Sequence, residues 1–354
     1  MRTLKSPINR PHGRGACLNT DQRFSALQVS YDPGEEPAKV ATKFFHDHSS
    51  SIISRNDSPD LGFGASLNPY RGCEHGCAYC YARPSHEWLG WSAGVDFETR
   101  IMVKTEAPAL LRAEFSRDKY LPECLAISGI TDCYQPVEKR LEITRGCLAV
   151  LAECRHPVGM ITKNHLITRD LDHLGELARY QAAAVYISIT SLDADLARKL
   201  EPRASSLKMR LEAVRDMAGQ GIPVGVNVAP VIPGLNDSEI PAIINAARDA
   251  GAQFAGYTVM RLPFSVKEVF ALWLEEHFPG MKDKVLNRIE ETQGRTLSHP
   301  EFGKRLKGVG VWSDQIAQIF QVSLKRAGML HRRPKLTTAH FRRPREIGGQ
   351  MELW

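Results

Sequence analysis

No apolar stretch opens this 354-residue chain: residues 1–15 are basic and polar, without the hydrophobic segment of a secretory leader. A cytoplasmic location is therefore expected. Nor does the sequence offer a membrane span, because its uncharged run at 219–236 carries Pro223, Pro230, Pro233 and Asn227, which would break or burden a spanning helix. In a reducing compartment the eight cysteines are not a disulfide framework, so their placement matters more than their number. Acids are missing from one segment, residues 325–345, which holds Lys325, Arg326, Arg332, Arg333, Lys335, Arg342, Arg343 and Arg345. The 38 basic residues outside it nearly balance 40 acidic ones, so the net charge of +6 belongs to this tail. Such a block either neutralises the phosphates of a nucleic acid, with His340 and Phe341 as stacking rings, or docks on the body of the protein.

What is present has a clear period. Residues 1–64 are rich in Gly, Pro, Ser, Asp and Arg, and they predict an extension that wraps over a core without building one. From Ala65 short apolar runs alternate with helical segments in units of roughly 35 residues. Strands are predicted at 64–68, 125–130, 158–163, 185–190, 224–228 and 254–260. Helical stripes lie between them: Val137, Leu141, Thr144, Leu148 and Leu151, then Leu207, Leu211, Val214 and Ala218, then Ile240, Ile244 and Ala247. In the fourth strand Val185, Ile187 and Ile189 share one face and Tyr186, Ser188 and Thr190 the other; the fifth splits in the same way around Asn227. A sheet with one polar face fits a hollow barrel better than a doubly wound sheet covered on both sides. The expectation is an α/β fold, a partial (β/α)6 TIM-like barrel of parallel strands. The core would span residues 65–280, flanked by extensions at 1–64 and 281–354.

Three cysteines, Cys73, Cys77 and Cys80, fall within eight positions directly after the first strand. Thiolates so spaced outside a secreted protein point to a soft metal, either Zn²⁺ or an iron–sulfur cluster. His75 is badly placed to complete a zinc site, and no second cysteine pair follows at zinc-finger spacing. Three thiolates on a four-iron cluster would leave one iron open to an exogenous ligand.

Cys73-x3-Cys77-x2-Cys80, with Tyr79 before the last cysteine, resembles the signature of the radical S-adenosylmethionine enzymes. The flanking Asn68-Pro-Tyr-Arg-Gly-Cys73 and Cys80-Tyr81-Ala82-Arg83 look like the spore photoproduct lyase-like branch, the resemblance running over residues 65–278. It implies a 4Fe–4S cluster on Cys73, Cys77 and Cys80 and S-adenosylmethionine on its open iron. Reductive cleavage would give a 5′-deoxyadenosyl radical that takes hydrogen from substrate. A low-potential donor of flavodoxin or ferredoxin type would supply the electron, and damaged nucleic acid or a nucleotide would be the substrate; a protein or small metabolite is the alternative.

By the same resemblance Tyr79 belongs to the cofactor site, and Ser128, Gly129, Thr131 and Asp132 at the end of the second strand would meet the methionine ammonium. Lys163 would approach its carboxylate, Ser188 and Thr190 the ribose, Arg203 an anionic group, and the stretch around Val231 the adenine. Tyr257 and Arg261 would either reach substrate or fill the barrel. Cys133 is the candidate hydrogen donor, although the lyase pattern would place that cysteine at Ile130 instead. Cys147 and Cys154 adjoin an apolar stripe and are expected in the core.

Overall fold

The computed structural model describes residues 13–24, 40–330 and 333–345. All six predicted strands form, as β1 (Ala65–Leu67), β2 (Leu125–Ile127), β3 (Val158–Thr162), β4 (Ala183–Ile189), β5 (Val224–Val231) and β6 (Phe254–Val259). They pair in chain order and all in parallel. Each crossover carries a helix, in order α1 (Ala107–Ser116), α2 (Ile143–Cys154), α3 (Leu171–Arg179), α4 (Leu207–Gly219) and α5 (Ile240–Asp249). Parallel strands joined by helical crossovers need such a layer outside the sheet. Beyond β6 lie α6 (Val266–His277), α7 (Lys282–Thr292) and α8 (Gly310–Ala327).

The two faces of the sheet have the expected chemistry. Val185, Ile187, Val224, Val226 and Val228 are buried against the helices in the main core. Along β3 and β6 every second residue is only half-buried, and Gly159, Ile161, Gly256 and Thr258 fall on that inner face. Register places Tyr186 beside Gly225, and Ser188 beside Asn227, on the same inner face. The strands therefore enclose a lumen that solvent enters. Tyr257 points the other way, onto Phe320 of α8 at 4.6 Å between ring centroids, so it fills the outer layer and not the barrel.

Two expectations are corrected. Residues 1–64 do build structure: Ile53–Arg55 pairs antiparallel with β1 as the edge of the main sheet, and Lys43–His46 joins a small second sheet with Tyr70–Arg71 and Arg100–Val103. The stripe from Val137 to Leu151 is not one helix, because Glu142 takes φ +52° and separates Glu138–Leu141 from α2. A second core lies beneath the cysteine loop, where Cys77, Ala78 and Tyr79 meet Leu196, Ile232 and Trp273. Burying a side chain as large as Trp273 contributes about 3 kcal/mol, and its Nε1 donates to the carbonyl of Lys199 at 2.9 Å.

The sheet does not close on itself. One margin is the strand Ile53–Arg55, and at the other β6 is bordered by Leu306 and Leu330, whose carbonyls accept from the Val259 and Ala255 amides at 2.9 Å. Side chains bridge the gap: Arg305 donates to Asp60 at 2.5 Å and to Ser58 at 2.6 Å, and the Gly303 amide also donates to Asp60. Among the described residues no helix is long and apolar enough to cross a membrane.

Candidate active site

The loop from Cys73 to Cys80 sits at the carboxyl ends of the strands, held from three sides. Beneath it Gln135 binds the Glu74 amide at 2.9 Å and the Gly72 carbonyl at 3.3 Å. Beside it Arg83, with no exposed surface, donates twice to the Cys77 carbonyl at 2.8 and 3.0 Å and once to Glu98 at 2.5 Å. Above it runs the segment around Ala16, whose amide and that of Gly15 donate to Glu98 at 2.8 and 3.1 Å. Gly15 is required there because a Cβ on it would lie 1.7 Å from the Gly76 carbonyl oxygen. Sequence reasoning missed Gln135, Glu98 and this strap; only Arg83, quoted with the motif, carried any signal.

All three cysteines of the loop are free, with Cys73 and Cys77 buried and Cys80 half-buried. Burial pushes the Cys77 and Cys80 thiols up, and their mutual proximity adds to it, while Lys163 pulls both down. Three free cysteines on one loop are the donor set of an iron–sulfur group with one open iron, so the residues present fit such a cluster. Lys163 reaches inward at the end of β3; burial would lower its pKa, but Cys77, Glu201 and Asp132 hold it raised.

Several expected ligands are already engaged. Asp132 accepts from the Thr162 hydroxyl at 2.7 Å, the Lys163 amide at 2.8 Å and the Tyr134 amide at 2.9 Å, and it pairs with His75 at 3.4 Å. Four donors fill a carboxylate, so it holds the loop and is not open to an ammonium group. Burial opposes both charges of this pair, yet the contact keeps Asp132 well below the usual carboxylate range and raises His75 to about 9. Thr131 donates to the Tyr70 carbonyl at 3.1 Å and is equally occupied.

Thr190 is spent as well, on Glu201 at 2.5 Å and the Ala229 carbonyl at 3.0 Å, which removes it from a ribose role. Glu201, fully enclosed, also accepts from Tyr79 and Arg210. Arg203 pairs with Glu74 of the loop at 3.2 Å through one nitrogen, its side chain still 31% exposed. Cys133 has no exposed surface and belongs to the main core, with Cys147 and Cys154; burial pushes its thiol far up. The geometry gives it no opening for hydrogen donation.

Of the remaining expected residues, Ser128 and Gly129 are part-exposed, whereas Ser188 and Val231 are buried. Ser128, at φ +76°, and Gly129 turn the chain at the lumen's mouth, and a Cβ on Gly129 would meet nothing nearer than 3.8 Å. The Gly129 carbonyl accepts from Tyr81 at 2.6 Å, and Arg261 lies 4.8 Å over the Tyr81 ring. Ser188 lies on the inner face beside Asn227. Val231 ends β5, its carbonyl accepting from the Met260 amide at 2.9 Å. The basic tail lies at the opposite end of the barrel. Arg342 donates to the Glu153 carbonyl at 2.7 Å, Arg343 to the Asp118 and Phe115 carbonyls at 2.7 and 3.2 Å, and Phe341 packs on Phe115 and His156. Arg342 and Arg343 thus touch the body yet stay exposed, as do Lys335 and Arg345; Arg332 lies outside the described residues.

Residues 67–247 match the Radical SAM superfamily. An uncharacterized protein of Mycobacterium tuberculosis is 35% identical over 225 residues, covering 62% of this chain and 66% of that protein, slightly under two thirds of its length. An uncharacterized protein of Methanocaldococcus jannaschii is 26% identical over 222 residues, 63% of this chain and 79% of the relative. Among solved structures a spore photoproduct lyase variant aligns with a TM-score of 0.58 at 17% identity, covering 85% of this chain and 86% of that one. Another variant, with bound AdoMet and dinucleoside spore photoproduct, aligns at 0.55 and 18% identity over 85% and 84%. The fold is thus that of the partial barrel of these lyases.

Proposed function

The chain belongs to the radical SAM superfamily, and from that premise we propose that it is an enzyme abstracting hydrogen from a substrate held in the lumen. A 4Fe–4S cluster with S-adenosylmethionine, when bound and reduced, would supply the radical chemistry for that step. Cys73, Cys77 and Cys80 would ligate the cluster, and Arg83, Glu98 and Gln135 brace the loop that carries them. The backbone at Ser128 and Gly129 and the ammonium of Lys163 face the place where the amino acid part of the cofactor would lie. Ser188 and the backbone near Val231 are left for its nucleoside part. Leu196, Ile232 and Met260 wall the loop from water. A flavodoxin or ferredoxin supplies the electron.

The observation that carries the proposal is the set of three free thiols on one braced loop, at the mouth of a hollow, polar-faced barrel. Anaerobic reconstitution with iron and sulfide should give a brown protein that forms 5′-deoxyadenosine from S-adenosylmethionine and dithionite. Cys77→Ala should abolish both colour and cleavage. A colourless protein holding one zinc and forming no deoxyadenosine would sink the reading.

For the substrate, the likeness to a lyase solved with a dinucleoside supports a nucleobase-bearing molecule. A small metabolite is the second reading, favoured by the tail, whose arginines are turned to the body. Deuterium transfer from candidate substrates into deoxyadenosine separates the two.

A further inference from the structure

One tail arginine, part-exposed, also reaches the inner face of the sheet. Arg333 enters the barrel from below: its amide donates to the Tyr186 hydroxyl at 3.2 Å, and its guanidinium donates to the Cys124 sulfur at 3.4 Å. A Cβ on Gly159 would stand 3.7 Å from its Nε, so the missing side chain at 159 makes room for it. Gly159 and Tyr186 belong to the inner faces of β3 and β4, which puts the guanidinium at the floor of the lumen.

The charge there is uncompensated. Among the described residues Arg333 has the Cys124 sulfur and the Pro334 carbonyl, at 3.3 Å, as acceptors but no carboxylate. Of the other described arginines of the tail, Arg342 and Arg343 donate to backbone carbonyls outside the barrel. No acid occurs among the inner-face residues Ile161, Ser188, Asn227 and Gly256 above it. Its guanidinium is part-exposed and meets no anion, and its planar fork matches an oxyanion in two places. Asn227 stands on the same wall, its Oδ1 3.4 Å from where a Cβ on Gly256 would be, and it has a polar edge to offer a ligand. From Gly159 to Lys163 the wall is about 13 Å tall at some 3.3 Å per strand residue.

We propose that the lumen floor is an anion site, in which Arg333 takes the phosphate or carboxylate of a small substrate whose other end reaches the mouth. The inference rests on the radical reading only for the cofactor's place at that mouth. It assigns the tail one specific contact instead of a general attraction to polymers, and it makes the substrate nucleotide-sized.

Cys124 is the reporter. The holoenzyme is alkylated anaerobically with neutral iodoacetamide or anionic iodoacetate, and Cys124 and Cys17 are compared by mass spectrometry. Iodoacetate should be favoured at Cys124 relative to Cys17, and Arg333→Gln should reduce that preference by about tenfold, the scale of local charge steering. Inorganic phosphate or acetate should slow Cys124 alkylation in the unaltered protein; whichever protects better identifies the anion. That arm needs no variant, so the inference stays testable if Arg333→Gln does not fold. Equal reagent preference at both cysteines, no protection by either anion, or protection by a single-stranded oligonucleotide alone would each overturn it. Alkylation involves neither cluster nor cofactor, so a failure here is separate from a failure to form deoxyadenosine.

Discussion

His156 has no exposed surface and stacks on Phe115 at 4.4 Å, with the edge of Phe341 from the tail at 5.5 Å. Burial lowers its pKa to about 4, the Pro157 carbonyl offsetting only part of that. The folded protein keeps this ring neutral while the unfolded chain protonates it, so its stabilising effect is complete above pH 6.5 and is lost as pH falls toward 4. The loss between pH 7 and 5 should be about 2 kcal/mol. Urea denaturation at the two pH values should show a smaller loss for His156→Phe; equal losses would refute the assignment. Residue identities along the site were legible, but their commitments were not. Asp132 and Thr190 have the right types at the right strand ends for ligand binding, yet each meets partners that only folding brings close, such as Thr162, 30 positions from Asp132, and Ala229, 39 positions from Thr190. Arg210 could have been suspected, since it lies between Leu207 and Leu211 on a stripe that faces inward.

At the scale of elements, the strap over the cysteine loop is the least expected piece. Its grip is backbone: Gly15 and Ala16 on Glu98, and the Leu18 carbonyl accepting from the Val95 amide at 3.2 Å. Gly15→Ala would force a methyl group into the Gly76 carbonyl, an overpacking that costs about 1–3 kcal/mol. The reconstituted variant should release iron to a chelator faster than the unaltered protein and be cleaved sooner by protease near residue 15. Unchanged iron release would remove the strap from the site. The six barrel strands were readable as short apolar runs between helical segments, with period two plain in the fourth and fifth, as in Val185, Ile187 and Ile189. Ile53–Arg55 and Lys43–His46 were not, because three or four mostly exposed residues show no such alternation and become strands only by pairing with β1 and Arg100–Val103.

For the molecule as a whole, the tail showed itself in the sequence as charge alone. Its docking was invisible there because its partners are carbonyls at the ends of α1 and α2, a chemistry every residue shares. Removing residues 333–345 should uncover Phe115, Tyr120 and His156, lowering Tm by several degrees and raising dye binding to apolar surface. Affinity for polynucleotide should not change across a salt series; a loss of affinity and of salt slope would restore the tail to phosphate binding. The gap between β6 and Ile53–Arg55 has a consequence of its own. A closed barrel can widen only by unzipping a ladder of backbone hydrogen bonds, whereas here Asp60 and Ser58 need only part from Arg305 and Gly303. The bore is therefore adjustable like a split collar, with a seam along its length through which a bulky guest could be admitted sideways while the braced loop at the top stays still.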